Sequence, residues 1–145
     1  MNLSLLFPGK ALKGPEADLV KTYLTRAKHY ADITLTYLPE PHGKLPLRAL
    51  DKALLKRPRL VSLDVKGKSY STESFAKSLE KNASRPTAFI IGASFGLSQD
   101  ILEASDELLS LSTFTLPHRL ALVVLSEQLY RSLSFLSGHP YHHQD

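Results

Sequence analysis

The hydrophobic pattern of this chain alternates between two periodicities. Four short runs are apolar or alternate between apolar and polar residues, and glycine or proline bounds them. Such runs are typical of β-strands. They are NLSLLF (2–7), ITLTYL (33–38), LVSLDV (60–65) and TAFIIG (87–92).

Helical segments are predicted between these runs. Residues 15–29 begin with Pro15, and Glu16 and Asp18 follow, which favours a helix N-terminus. Residues 46–57 repeat leucine at 47, 50 and 54, and residues 71–82 begin with STES, a capping signal. Further along, Ser98 is expected to cap a helix that runs through Glu107, 109–115 to form a strand, and 117–137 to form the last helix.

Strands that alternate with helices of this length predict an α/β fold. We therefore expect residues 1–145 to form a single domain, with a mostly parallel sheet and flanking helices.

The last helix has apolar residues on more than one face. Its leucines at 122, 125, 129, 133 and 136 share one face, while Glu127 and Arg131 exclude a membrane span. Because this apolar surface is broader than one core contact requires, the pattern favours burial against a second subunit.

Composition narrows the class of protein. The 145 residues are 43% hydrophobic and 22% charged, as in an ordinary soluble domain. Cysteine is absent, which excludes disulfides and thiolate chemistry. The opening apolar run, Leu3 to Phe7, is too short for a signal peptide, so a cytoplasmic location is expected.

Charge is distributed unevenly along the chain. Residues 1–70 carry 13 Lys and Arg against 6 Asp and Glu, a net +7, and residues 71–145 carry 5 against 8, a net −3. This asymmetry indicates an anionic partner such as nucleic acid, and a solvated lysine-rich surface is the alternative.

A stripe of cations lies within the basic half. Arg48, Lys52 and Lys56 are four residues apart on the predicted helix 46–57, and Arg57 and Arg59 would extend the stripe. Residues at this spacing share a helix face, so they could follow an RNA phosphate backbone. The alternative is an ordinary solvent-exposed face.

Three loops follow strands and are candidates for ligand binding: 63–68, 91–96 and 112–118. They contain no Ser-His-Asp order and no paired carboxylates, and IGASFG does not match the dinucleotide fingerprint. The terminal histidines 139, 142 and 143 have a poor spacing for a metal site, so no metal is expected. Spacing alone predicts a ligand site and no particular reaction.

Five motifs, taken in their order along the chain, indicate a protein family: LDVKGK, IGASFG-LS, LSLSTFTLPH, EQLYR and terminal HPYHH. With the early FPGK, they make nearly the whole chain resemble the RlmH family of SPOUT methyltransferases. The resemblance implies a C-terminal trefoil knot, an exception to the rule against knots. It also implies methylation, from S-adenosylmethionine, of N3 of a pseudouridine in 23S (large-subunit) ribosomal RNA, in the assembled ribosome.

The resemblance implies site residues as well. Arg131, Tyr141 and His142 would be catalytic, and a salt bridge to Glu127 is the alternative role for Arg131. In a homodimer, the tail of one subunit would border the cofactor of the other. His143 would join Arg48, Lys52 and Lys56 in binding RNA. The implied cofactor-binding residues are Leu63, Gly92, Ala93, Gly96, Ser112, Thr113, Phe114, Thr115, Leu116 and Pro117.

Two positions depart from the family pattern. Ala93 stands where the family usually has a second glycine, and His143 stands where it usually has lysine or arginine. A non-catalytic, dimeric module of the same knotted fold that binds RNA or the ribosome is therefore the alternative function. Binding of S-adenosylmethionine distinguishes it from the enzyme.

Overall fold

The computed structural model describes residues 1–39, 42–92 and 95–143. Five strands form one sheet: β1 (Asn2–Pro8), β2 (Asp32–Leu38), β3 (Arg59–Ser69), β4 (Thr87–Ile90) and β5 (Glu107–Ser110). The α-helices are α1 (Pro15–Ala27), α2 (Thr72–Lys81), α3 (Gln99–Ala104) and α4 (His118–Leu136). Two short 3₁₀ helices, Leu47–Leu50 and Pro140–His143, complete the described elements.

The sheet has the strand order β2-β1-β4-β3-β5, and its described pairings are parallel. The carboxyl ends of the strands therefore lie at one edge, where parallel sheets bind ligands. The predicted α/β class with a mostly parallel sheet is confirmed. The trefoil knot stays a prediction.

Apolar side chains fill both faces of the sheet. On one face, side chains of β1, β4 and β5 pack against α1, α2 and α4 around Leu5, Phe89 and Leu122. On the other face, the segment 45–54 and α3 cover Leu6, Leu60 and Ile90. The inner strands are thus buried from two sides, which explains their nearly continuous apolar sequences.

The helix predicted over 46–57 is not formed. Only Leu47–Leu50 is a 3₁₀ helix, turns follow, and Arg57 has a positive φ of 49°. The leucines nevertheless point inward: Leu50 is buried, and Leu47 and Leu54 pack on the same cluster. The segment is therefore held by its leucines and not by a continuous helical ladder.

The elements around β5 also differ from the prediction. Ser98 caps α3 as expected, since its Oγ accepts from the Ile101 amide at 3.4 Å, but α3 ends at Ala104. The strand is Glu107–Ser110, not 109–115. Beyond it, Ser112 Oγ accepts from the Phe114 amide at 2.9 Å, a local turn that ends the strand and opens a loop.

The leucine face of α4 is buried inside the chain. Leu122, Leu125 and Leu129 have no exposed surface, because α4 packs against both α1 and α2. Each buried leucine contributes roughly 1.5–3 kcal/mol to folding. The apolar breadth of α4 therefore serves mainly the chain's own core, and Leu120, 43% exposed, is left at its start. No helix among the described residues is long and apolar enough to cross a membrane.

Candidate active site

A cavity of about 360 Å³ lies at the carboxyl ends of β3, β4 and β5. Its lining includes Leu63, which precedes the irregular part of β3, Ile91, which follows β4, and Leu109 near the end of β5. Residues 111–112 and 114–118, with Ala121 of α4, close the opposite side. The cavity is large enough for a small-molecule ligand, since such sites are roughly 300–1,000 Å³.

A bulge in β3 shapes one wall of the cavity. Leu63 and Lys68 are both in register with Leu109, so residues 64–67 loop out of the sheet. Gly67 lets the strands come together again, because a Cβ there would lie 2.5 Å from the carbonyl carbon of Leu108. The bulge carries Asp64 and Val65 into the cavity wall.

Most of the predicted cofactor-binding residues line this cavity. They are Leu63, Gly92, Gly96, Ser112, Phe114, Thr115, Leu116 and Pro117. Thr113 lies in the same loop but does not line the cavity, and Ala93 lies outside the described residues.

Seven lining residues were not among the predicted cofactor-binding residues: Asp64, Val65, Ile91, Leu109, Leu111, His118 and Ala121. Asp64 and Val65 belong to the LDVKGK motif and His118 to the motif that ends in LPH. The imidazole of His118 stacks on Phe7, with ring centroids 5.1 Å apart. Strand β1 thus supports the start of the helix that closes the cavity.

Four exposed apolar side chains belong to the cavity lining or to residues next to it in the chain. Phe114 is 79% exposed and Val65 55% exposed, and both line the cavity. Phe95, 66% exposed, precedes the lining residue Gly96, and Leu120 precedes Ala121. Exposed apolar side chains beside a cavity are typical of ligand-binding and protein-interaction surfaces.

The C-terminal tail folds back along α4. Gly138 has a positive φ of 76°, and the amide of His139 donates to the carbonyl of Ser134 at 2.9 Å. Glycine is favoured at position 138 because other residues rarely adopt the positive φ with which the helix ends. The 3₁₀ turn Pro140–His143 is thereby brought beside the last turns of α4.

Glu127 joins the tail to α4. Its Oε1 accepts from Nε of Arg131 at 2.7 Å and from the Tyr141 hydroxyl at 3.1 Å. The Arg131 guanidinium also lies over the Tyr141 ring, 4.7 Å from the centroid. The salt bridge from Arg131 to Glu127 is therefore formed, and it holds Arg131 against the predicted catalytic tyrosine.

Tyr141 is held as a neutral hydroxyl. Burial, and next the adjacent Glu127 carboxylate, raise the pKa of Tyr141 to about 12. The ring also packs on Tyr130, with centroids 4.5 Å apart. At neutral pH this side chain can donate a hydrogen bond or stack on a base, but it cannot serve as a proton acceptor in its anionic form.

His142 lies between two helices. Its Nε2 is 2.8 Å from Oε1 of Glu73 on α2, and its Nδ1 is 3.5 Å from Nη1 of Arg131 on α4. The hydrogen bond to His142 holds the pKa of the Glu73 carboxyl below its ordinary value of 4.5. Glu73 is thus an anion at neutral pH, facing the imidazole.

The structure therefore gives two separate clusters in one chain. Arg131, Tyr141 and His142 come together, as the resemblance implied, but none of them lines the cavity. They lie on the surface formed by α2 and α4.

The basic stripe has a different shape from the predicted one. Arg48, Lys52 and Lys56 are all exposed, but they lie on a 3₁₀ helix and turns and not along one α-helical face. Arg59 is not part of a solvent-exposed stripe, because it forms a salt bridge with Glu107 at 2.6 Å. His143 is exposed on the tail, beside Phe135.

The described residues hold no group of three or more His, Cys, Asp or Glu side chains that could bind a metal ion.

Comparisons with known proteins agree with this architecture. The family model described as "Predicted SPOUT methyltransferase" matches residues 1–142. The chain is 41% identical over 149 residues to "Ribosomal RNA large subunit methyltransferase H" of Acidiphilium cryptum (strain JF-5), covering 97% of this chain and 92% of that protein.

Solved structures of low sequence identity share the fold. A probable methylase family protein from Haemophilus influenzae Rd KW20 has a TM-score of 0.61 at 10% identity, over 96% of this chain and 68% of that one. The SpoU methyltransferase AviRb from Streptomyces viridochromogenes, solved in complex with the cofactor AdoMet, has a TM-score of 0.52 at 16% identity, over 90% of this chain and 57% of that one.

Proposed function

The chain belongs to the SPOUT methyltransferase family, and from this premise we propose that it methylates large-subunit ribosomal RNA with S-adenosylmethionine as the methyl donor. The target that we propose is N3 of a pseudouridine in 23S RNA. The relative from Acidiphilium cryptum is 41% identical to this chain over 149 residues, and its name specifies large-subunit ribosomal RNA. A cytoplasmic location follows from a ribosomal substrate.

The observation that carries the proposal is the cavity at the ends of three parallel strands. Its lining is mostly apolar, as an adenosine moiety requires, while Ser112 and Thr115 provide hydroxyl and backbone groups for hydrogen bonds. Asp64 places a carboxylate in the wall, which would attract the positively charged end of the ligand. These residues fit S-adenosylmethionine.

When bound, S-adenosylmethionine supplies an electrophilic methyl carbon on a sulfonium. The protein must align the base nitrogen behind that carbon and accept the N3 proton as the nitrogen–carbon bond forms and the carbon–sulfur bond breaks. We assign proton transfer to His142, because its imidazole lies beside Arg131 and can accept and release a proton. Tyr141, whose one hydroxyl proton is donated to Glu127, would contact the base through its ring, and Arg131 would stabilise the charge that develops on the base.

These roles require a homodimer, because the tail of each chain lies away from its own cavity. We propose that a second copy covers the apolar mouth formed by Val65, Phe95, Phe114 and Leu120. The tail of that copy would then face the cofactor. The exposed cations Arg48, Lys52 and Lys56, with His143, would bind RNA phosphates, and the substrate would be the assembled ribosome.

Two measurements test the proposal. Calorimetry with S-adenosylmethionine should show binding, and absence of heat at millimolar ligand would contradict it. Mapping methylated pseudouridines in ribosomal RNA from cells with and without this protein should reveal one missing modification. An unchanged map would contradict the substrate assignment even if the cofactor binds.

A further inference from the structure

Glu73 is the residue through which α2 contacts the tail. It lies in the first turn of α2, and its Oε1 is 2.8 Å from Nε2 of His142, 69 residues further along the chain. The contacts of Arg131, Tyr130 and Glu127 with the tail all come from α4, the helix that the tail directly follows. Glu73 thus provides the tail with a contact from a second helix, α2.

The helix that carries Glu73 is firmly anchored. Phe75, Ala76 and Leu79 of α2 are buried, and Ser71 caps its N-terminus by accepting from the Ser74 amide at 3.1 Å. Hydrogen bonds connect α2 to the tail-binding side of α4. Thr72 donates to Gln128 at 2.8 Å, and Gln128 donates to Oε2 of Glu127 at 2.8 Å. Both carboxylates that hold the tail therefore stand on one rigid frame.

The imidazole of His142 is held at both nitrogens. With Nε2 carrying the proton that Glu73 accepts, Nδ1 keeps the lone pair that would accept the N3 proton, and Nη1 of Arg131, 3.5 Å away, would give way to the base there. A carboxylate acceptor fixes the tautomer and the ring plane of a histidine in this way. Among the described residues, the rings of His143 and Phe135 also face the imidazole, with centroids 5.2 Å and 5.6 Å from its own.

The contact adds little to folding stability. The Glu73 side chain is 48% exposed, so solvent screens its contact with His142. A contact that fixes geometry while it contributes so little to stability is suited to positioning a functional side chain.

We propose that Glu73 is a positioning residue for the methyl transfer: it sets the ring orientation and tautomer of His142 before RNA binds. This role rests on the proposed function of the tail. Glu73 would act through His142, without touching RNA or cofactor.

The first test compares Glu73→Gln and Glu73→Ala with Glu80→Gln, which removes the same charge from an exposed position on the same helix. We expect kcat to fall on the order of tenfold or more in both Glu73 variants, because small misplacements of a catalytic group are costly. KM for RNA, the affinity for S-adenosylmethionine and the melting temperature should match those of Glu80→Gln. Unchanged kcat in both Glu73 variants, or a loss confined to KM or melting temperature, would overturn the proposal.

The second test does not depend on methylation. Carbon NMR can follow the Glu73 carboxyl in the full-length protein and in His142→Ala. The pKa of Glu73 should rise toward its ordinary value of 4.5 when the imidazole is removed. Equal pKa values in the two proteins would show that the contact is absent, which overturns the positioning role. If the contact is present and the protein leaves ribosomal RNA unmethylated, then the proposed function fails and the positioning role fails with it.

Discussion

The hydroxyl of Tyr141 donates to Oε1 of Glu127, 3.1 Å away and fourteen residues earlier in the chain. The same oxygen accepts from Arg131, so one carboxylate organises both predicted catalytic side chains. Since Tyr141 follows the turn at Gly138, this contact also fixes the direction in which the tail folds back on α4. The tail is thus ordered in the single chain, before any substrate is present.

The raised pKa of Tyr141 predicts a specific titration. Because burial and Glu127 raise this pKa to about 12, the folded chain keeps the phenol protonated above its ordinary value of 10.0. The stabilising contribution is fully present below pH 10 and is lost as pH rises through 12. Ultraviolet titration of the protein against Tyr141→Phe should show this late-ionising tyrosine, and Glu127→Gln should lower its pKa. Ionisation at the ordinary pKa would contradict the contact.

Deletion of residues 139–145 should abolish methylation. The deleted segment carries Tyr141 and His142 but none of the cavity-lining residues. Calorimetric binding of S-adenosylmethionine and the circular dichroism spectrum should therefore stay close to those of the full chain. Normal turnover by the truncated protein would refute the assignment of the tail to catalysis.

Replacement of Arg48, Lys52 and Lys56 with alanine should weaken RNA binding without changing kcat. Exposed cations bind phosphates whatever their helical register, so the affinity should show a flatter salt dependence. The log–log slope should fall by roughly one unit for each phosphate that the variant no longer binds. Alanine at the exposed lysines 77 and 81 of α2 is the control, since they lie in the acidic half of the chain. Equal slopes in the two variants would indicate that Arg48, Lys52 and Lys56 belong to an ordinary solvated surface.

Two glycines should respond differently to alanine. At Gly67, the new methyl would meet the Leu108 backbone at 2.5 Å, which should cost about 1–3 kcal/mol and lower the melting temperature. At Gly92, the nearest atoms would be 3.9 Å away, an ordinary contact, so the fold should be retained. Because Gly92 lines the cavity, its alanine variant should instead bind S-adenosylmethionine more weakly. Thermal melts and calorimetry on both variants separate the two effects.

Dimer formation should depend on the apolar cavity mouth. Leu120→Asp places a charge on a side chain that is 43% exposed in the single chain, so folding should be unaffected while dimerisation weakens. Leu55→Asp, at a position 78% exposed and away from the cavity, is the matched control. Light scattering should show dissociation only for Leu120→Asp. A wild-type protein that is monomeric at working concentrations would contradict both the dimer and the shared active site.

Local patterns in the sequence were enough to predict much of the architecture. The strand runs, the caps at Ser71 and Ser98, and the inward leucines at 50 and 54 are all found. They depend on hydrophobic periodicity and on hydrogen bonds within a few residues, which act before distant parts of the chain meet. The strand pattern likewise predicted that the three candidate loops follow strands, at the edge of the sheet where the cavity lies.

Tertiary structure alone decided the features that depend on distant partners. The bulge that carries Asp64 into the cavity exists because both Leu63 and Lys68 align with Leu109 on another strand. The segment 46–57 is not a continuous helix, since burial of its leucines against β4 and α3 outweighs its helical periodicity. The partnership of Glu73 with His142 joins residues 69 apart, through a tail direction that Gly138 and the packing of α4 determine together. Spacing along the chain carries no information about such pairs, because they form only when separate elements pack against each other.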